Sequence, residues 1–361
     1  GEMRNFRTYR RGAAAVLGAT GLAAAQLAMF GTAAQAAPPS SVFIDGGVLR
    51  VLSPAGQVNV IQLTPVGGTI VVTDTVNNLA GQFPCNPVNA HRVDCPAAAI
   101  NSFRVETNDG NDQVRNFANR PGLISTAAGS DFESDGPNNQ TVLLGTGNDS
   151  ALAGTGRDVT SGSLGIDTVS YSNRGAGVSV RLDNVANDGQ AGEQDNVLSD
   201  NENIIGSNAG DVLIGSAAAN VIRGLGGNDL IGSLGGNDLV DGGFGADNMF
   251  GGTGASDTVS YAGRAAGVAV RLDNLANDGQ AGEGDNAHSD FENILGGGGN
   301  DVLVGNAARN VLQGLNGNDF LFGLAGSFDL LIGGNGTDFG SGGAGIGDIF
   351  VAENDDATCE F

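Results

Sequence analysis

Residues 224–232 read Gly224-Leu225-Gly226-Gly227-Asn228-Asp229-Leu230-Ile231-Gly232, and residues 233–241 read Ser233-Leu234-Gly235-Gly236-Asn237-Asp238-Leu239-Val240-Asp241. These are two copies of one nonapeptide, with Asp229 and Asp238 in the same place and apolar residues just after them. The nine-residue step extends in both directions. An earlier block carries Asp131, Asp149, Asp158 and Asp167, with Gln140 on the missing step. The central block carries Asp211, Asp229, Asp238, Asp247 and Asp257, with Asn220 on its missing step. A later block carries Asp301, Asn310, Asp319, Asp329, Asp338 and Asp348, with single-residue slips. A short repeat sustained in phase specifies a solenoid, because one unit buries its apolar residue only by stacking on its neighbours.

A longer repeat overlies the short one. Asp167-Thr168-Val169-Ser170-Tyr171 returns as Asp257-Thr258-Val259-Ser260-Tyr261, and residues 177–196 match 267–286 apart from Ser179/Ala269, Val185/Leu275 and Gln194/Gly284. A unit spanning 167–256 is therefore duplicated as 257–348, each copy carrying an inserted segment, 170–206 and 260–296. Within the first insert, Gly177–Leu182 alternates as a strand, and Asp183–Asp195 is an acidic, glycine-rich loop that returns as Asp273–Asp285. The loop does not fit an EF-hand, whose aspartates alternate before a glycine. It is read as a solvated cover, with Asp188, Glu193 and Asp195 as a side-site candidate for calcium. Glu202–Gly206 and Glu292–Gly296 read as strands re-entering the solenoid.

The many-fold Gly-x-Asp nonapeptide resembles the hemolysin-type, or RTX, calcium-binding repeat. The resemblance implies a parallel β-roll in which six residues turn, three form a strand and two nonapeptides complete a coil. Turns 18 residues apart then stack on one edge, a strand spacing of about 4.8 Å apart. The expected fold is all-β: a small β preamble over 37–105, then the β-roll, or β-solenoid, over 106–361.

The chemistry follows from the spacing. Glycine permits positive-φ turns and exposes carbonyl oxygens. Stacked aspartates bring carboxylates and carbonyls to one point, and six to eight hard oxygens form calcium's preferred shell. Zinc's nitrogen and sulfur ligands are scarce. Two carboxylates about 5 Å apart repel by about 3 kcal/mol at an effective dielectric of 20, so a cation there should couple to folding. The candidate ligands are Asp131, Asp149, Asp158, Asp167, Asp211, Asp229, Asp238, Asp247, Asp257, Asp301, Asp319, Asp329, Asp338 and Asp348. The turn glycines Gly145, Gly147, Gly224, Gly226, Gly227, Gly235, Gly236, Gly243 and Gly245 accompany them. Gln140, Asn220 and Asn310 read as turn caps rather than ligands.

Composition agrees with this reading. The 361 residues include 62 Gly and no Trp, and 40 acidic residues outweigh 16 basic ones for a net charge of -24. That balance disfavours nucleic acid, whose phosphates call for Lys and Arg. Arg4, Arg7, Arg10 and Arg11, the uncharged stretch 12–30 and Ala34-Gln35-Ala36 form the three parts of an export signal, so residues 1–36 are expected to be removed. Export makes a disulfide permissible, and Cys85–Cys95 is the expected pair, leaving Cys359 over.

The expected function is a secreted, extracellular, non-catalytic calcium-binding protein that folds or rigidifies on binding several Ca2+ ions. The alternatives are a surface adhesin or matrix protein using the stiffened roll as scaffold, and a solenoid enzyme acting on polysaccharide. The enzyme reading lacks motifs: with only His91 and His288 there is no His-Glu-x-x-His, and no Gly-x-Ser-x-Gly elbow occurs. His91, next to Arg92, reads as an exposed loop residue.

Overall fold

The structure is a computed structural model that describes residues 38–352 and the strand Thr358–Glu360. The leader reading over 1–36 lies outside the described residues, as do the side chains of the last nine, Cys359 among them. Among the described residues the chain is almost wholly strands, with one short 3-10 turn at Ala97–Ala99 and no α-helix. No helix is long and apolar enough to cross a membrane among them.

The preamble strands form where β-branched residues alternate between turn signals. Ser40–Asp45 pairs antiparallel with Val48–Leu52, and Val60–Val66 with Thr69–Asp74. Their inward residues, including Val42, Leu49, Val51, Ile61 and Leu63, are fully buried. Cys85 and Cys95 are joined by a disulfide within this core. The preamble also starts the solenoid: Val48–Leu52 pairs parallel with Ser102–Glu106, and Val60–Val66 with Gln113–Asn116. Two growing sheets thus run directly out of two hairpins.

From there each coil adds one short strand to each side, most of them of three residues. The register fixes the period: Phe132 stands beside Ser150, Ser150 beside Thr168, Val221 beside Leu239, and Val212 beside Leu230. Eighteen residues therefore make one coil, as the resemblance implies. One side is a continuous sixteen-stranded sheet, and the other is divided into sheets of eight, six and six strands. Its divisions come at the inserts, where Val178–Arg181 and Val268–Arg271 each start a new sheet through a hairpin with Gly189–Gln190 and Gly279–Gln280. Period-two alternation puts the middle residue of each strand inside, so Ile204, Leu213, Ile222, Ile231, Val240 and Met249 line the bore at 0% exposure.

Candidate metal centre: two carboxylate ladders

Every aspartate at the end of a turn is placed by the strand that follows it, so the coil period stacks the carboxylates along the two edges of the roll. On the edge leading into the sixteen-stranded sheet, each residue's N–H donates to the carboxylate of the next coil. Asp112 donates to Asp131, Asp131 to Asp149 and Asp149 to Asp167, at 2.7–2.9 Å. Farther along, Asn220 donates to Asp238, Asp238 to Asp257, Asn310 to Asp329 and Asp329 to Asp348, at 2.8–3.0 Å. The opposite edge repeats the pattern, with Gln140 to Asp158, Asp211 to Asp229, Asp229 to Asp247, Asp301 to Asp319 and Asp319 to Asp338, at 2.7–2.9 Å.

Only one carboxylate oxygen makes these bonds. The second oxygen of Asp131, Asp149, Asp158, Asp167, Asp229, Asp238, Asp247, Asp319, Asp329 and Asp338 is buried without a hydrogen-bond partner. An orphaned anionic oxygen is costly in a dry site unless a cation meets it. Asp211 and Asp301 differ, because each opens a block. Val178 and Val268 N–H reach their first oxygens, while Ser207 and Gly297 N–H reach their second at 2.6 Å. Asp257 also has its second oxygen bonded, by Gly254 N–H at 3.0 Å.

The turn glycines shape the same points. A Cβ at Gly224 would overlap Asp229 Oδ2 and the Gly242 carbonyl oxygen, so the first glycine keeps open the space between a free carboxylate oxygen and the next coil. Gly145, Gly147, Gly227, Gly236, Gly243 and Gly245 take positive φ and lie against the main chain of the preceding coil. Gly226 and Gly235 meet nothing closer than 3.4 Å, so their lack of a side chain is not sterically demanded.

Burial pushes these acids upward. Asp158 and Asp229 are raised to about 7, and Asp131, Asp167, Asp247 and Asp319 to about 6. For Asp229, desolvation is the largest cause, the Asp211 N–H opposes it, and the charges of Asp247 and Asp211 add to it. A cation at the edge would oppose this push, because it favours the charged form of the acids beside it.

Sequence reasoning missed four rungs. Asp167 N–H donates to Glu202 Oε2 and Asp257 N–H to Glu292 Oε2, both at 2.8 Å. Asp158 N–H donates to Asp195 and Asp247 N–H to Asp285, both at 2.9 Å. On the edge of the sixteen-stranded sheet the row of acids therefore continues past both inserts through Glu202 and Glu292, whereas on the other edge Asp195 and Asp285 end one series and Asp211 and Asp301 begin the next from Val178 and Val268. The available signal was local: Asp195-Asn196-Val197 and Glu202-Asn203-Ile204 are acid-x-apolar triplets with a buried third residue, like every regular strand.

The acidic loop is exposed over much of its length, as expected of a cover, with Asn184, Val185, Ala191 and Gly192 facing solvent, but its key aspartates are not solvated. Asp188, Asp195, Asp278 and Asp285 are at most 2% exposed. Both oxygens of Asp188 accept main-chain N–H groups, from Arg181 at 2.7 Å and Val197 at 2.8 Å, and Asp278 does the same with Arg271 and Ala287. Asp188 is thus a clamp closing the hairpin. Glu193 accepts the Gln190 N–H, and Asp195 belongs to the edge ladder. The polar groups need internal partners because the hairpin packs its apolar strand, Val178, Val180 and Leu182, into the core.

Asn220 and Asn310 show the cap chemistry expected of them. Each Oδ1 accepts an N–H four residues earlier, at 2.7 and 2.9 Å. Each Nδ2 donates to a carbonyl of the preceding coil, Glu202 or Glu292, at 2.7 and 2.8 Å. An amide at these rungs leaves no free oxygen.

A hard divalent cation fits the remaining donor set. Among the described residues no three His, Cys, Asp or Glu side chains converge on one point, so main-chain carbonyls must complete any shell. Comparison with known families agrees. Residues 135–169, 196–231, 205–240, 233–256 and 295–327 match the family model of the RTX calcium-binding nonapeptide repeat. These stretches span less than half of the chain and skip the hairpin of each insert. No curated protein matches the chain. RTX nonapeptide repeats bind several Ca2+ ions, and the chain carries stretches that match them, stacked as coils of a mostly parallel β-roll.

Proposed function

We propose that this chain is an exported, non-catalytic protein whose roll folds when it meets calcium outside the cytoplasm, with the Asp ladders as ligands. The observation that carries the reading is the row of buried carboxylate oxygens without partners, repeated on both edges at the coil period. At Asp167, Asp229 and Asp319 the free oxygen lies near a main-chain carbonyl, of Asp200, Gly242 and Gly333 respectively, a donor set that suits calcium and contains no nitrogen or sulfur. Without a cation the rows repel, and with one they attract, so binding and folding share a free energy. Sites of about 10⁻⁴–10⁻³ M affinity would suffice in an extracellular setting.

The absence of catalysis is supported by how the two histidines are used. His91 is exposed on a turn, and His288 stacks on Phe250 with Nε2 2.9 Å from Asn248 Oδ1. Export rests on the three-part leader of residues 1–36. The test is a calcium titration of the metal-stripped chain followed by far-UV circular dichroism. A cooperative gain of β signal with calcium, and none with equal magnesium, is expected. An unchanged spectrum from chelator to millimolar calcium would leave a metal-free solenoid.

A further inference from the structure

The rungs of the two ladders differ at the residue five places before the acid. It is glycine ahead of Asp167, Asp229, Asp247, Asp319 and Asp338, where Gly162, Gly224, Gly242, Gly314 and Gly333 stand. It carries a side chain ahead of Asp131, Asp149, Asp158 and Asp238, where Thr126, Leu144, Ala153 and Ser233 stand. Every one of these acids leaves its second oxygen buried without a hydrogen-bond partner, so the acid alone does not separate the two groups.

What surrounds that oxygen does separate them. A Cβ added at any of the five glycines would come within 2.1–2.4 Å of the acid's free oxygen. At three of them the same point also lies close to a main-chain carbonyl oxygen from the chain's next pass. The carbonyl is that of Asp200 at 2.6 Å for Gly162, of Gly242 at 2.2 Å for Gly224, and of Gly333 at 2.7 Å for Gly314. Carboxylate and carbonyl oxygens thus face one another across a space that holds no side chain.

At the other four rungs that space is taken. Leu144 and Ala153 place carbon in it, and both are buried in apolar clusters. Thr126 and Ser233 place a hydroxyl in it, and the hydroxyl donates to the carbonyl of the corresponding residue one coil on. Thr126 Oγ1 bonds Leu144 O and Ser233 Oγ bonds Gly251 O, both at 2.7 Å. Calcium collects six to eight oxygens at about 2.3–2.6 Å. A rung that keeps its carboxylate oxygen but loses the facing carbonyl, or the room beside it, offers an incomplete shell.

We propose that the residue five places before each acid selects which rungs take calcium, so that Asp131, Asp149, Asp158 and Asp238 take none. This rests on the calcium reading of the ladders. Because the three closed rungs of the first block precede Asp167, calcium binding begins at Asp167, where the duplicated unit begins. Ser233 closes one rung within the first copy of that unit. Its counterpart in the second copy is Gly323, where a Cβ would lie 2.3 Å from the free oxygen of Asp329, so the two copies differ by one site.

Counting bound ions on the full chain by native mass spectrometry at saturating calcium tests this. Ser233→Gly, which frees the Gly251 carbonyl beside Asp238 Oδ2, should add one ion. Gly224→Ser, whose new hydroxyl meets the Gly242 carbonyl, should remove at least one. Asp149→Asn should leave the count of the parent chain unchanged, whereas Asp247→Asn should lower it. An unchanged count in Ser233→Gly, or an ion lost in Asp149→Asn, would overturn the proposal. If Gly224→Ser does not fold, those two variants still decide, since one only removes a side chain and the other is isosteric. Failure of the calcium reading itself would look different, because the parent chain would then hold no ion at all.

Discussion

Replacing Asp229 by asparagine should stabilise the metal-free roll and weaken the calcium-loaded one. Asp229 sits mid-ladder, accepting the Asp211 N–H through Oδ1, with Oδ2 buried and unpartnered near the Gly242 carbonyl. In Asp229→Asn the Oδ1 bond survives, and an NH2 replaces the charged oxygen beside a carbonyl acceptor. Removing a buried unsatisfied acceptor and gaining a donor is worth about 1–3 kcal/mol in chelator. With calcium present the variant loses at least one ion, and each ion held at tenfold its dissociation constant contributes about 1.4 kcal/mol. A shared carboxylate, serving the steps on both sides, would double that loss. Far-UV circular dichroism in chelator should therefore show more β structure for Asp229→Asn than for the parent chain. Urea unfolding in calcium should show a lower midpoint, and ion counting at least one fewer ion. Asn220 and Asn310 are the precedent, since both hold their coils together with all side-chain polar atoms bonded. If Asp229→Asn lowered the β signal in chelator as much as in calcium, Oδ2 would be a structural acceptor and the cation argument would fail.

Asp301→Ala should reduce calcium stoichiometry less than Asp229→Ala, because Val268 and Gly297 N–H already occupy both oxygens of Asp301; isothermal titration calorimetry compares them. The pH dependence of the metal-free chain should be the reverse of ordinary acid denaturation. Burial raises the folded-state pKa of Asp131, Asp167, Asp247 and Asp319 to about 6 and of Asp158 and Asp229 to about 7, so between about pH 4 and 7 the folded state binds more protons than the unfolded one. Melting temperatures of metal-stripped protein should rise as pH falls through that window, whereas in calcium they should fall as protons compete for the ligands. Thiol counting on the oxidised chain should find Cys85 and Cys95 unreactive until reductant is added, as their disulfide requires. Intact mass of chain exported by a compatible host should begin at Ala37, and retention of Arg10-Arg11 would refute the leader reading.

The period of the roll was legible because steric and hydrogen-bonding demands recur in every coil and leave the same residue types at the same step. Asp149 and Asp167, or Asp229 and Asp247, could be paired from spacing alone, and the structure stacks them. Spacing failed where the chain leaves the coil. Glu202 follows Asp167 by 35 residues and Asp195 follows Asp158 by 37, so neither falls on a multiple of nine, although each occupies a regular rung. The burial of Asp188 was hidden for a different reason. A short acidic, glycine-rich stretch looks solvated in sequence, and only the fold brings main-chain N–H groups of Arg181 and Val197 to both of its oxygens. The pairing of Arg174 with Glu193 and of Arg264 with Glu283 likewise depends on packing within the insert, which no local pattern encodes.

The bonds along the ladders all point one way: an amide in one coil is satisfied by a carboxylate in the coil after it. A coil is consequently incomplete until the next eighteen or so residues have arrived. A chain made or threaded N-terminus first always has its newest coil unlocked, with a bare amide at the growing end. The asparagines before the aspartates run the other way, since Asn228 Oδ1 accepts Ala246 N–H and Asn300 Oδ1 accepts Asn318 N–H, so the newcomer's backbone is caught by a side chain already in place. Assembly therefore has a direction written into it: the older coil grips first, and the younger coil closes the latch behind it.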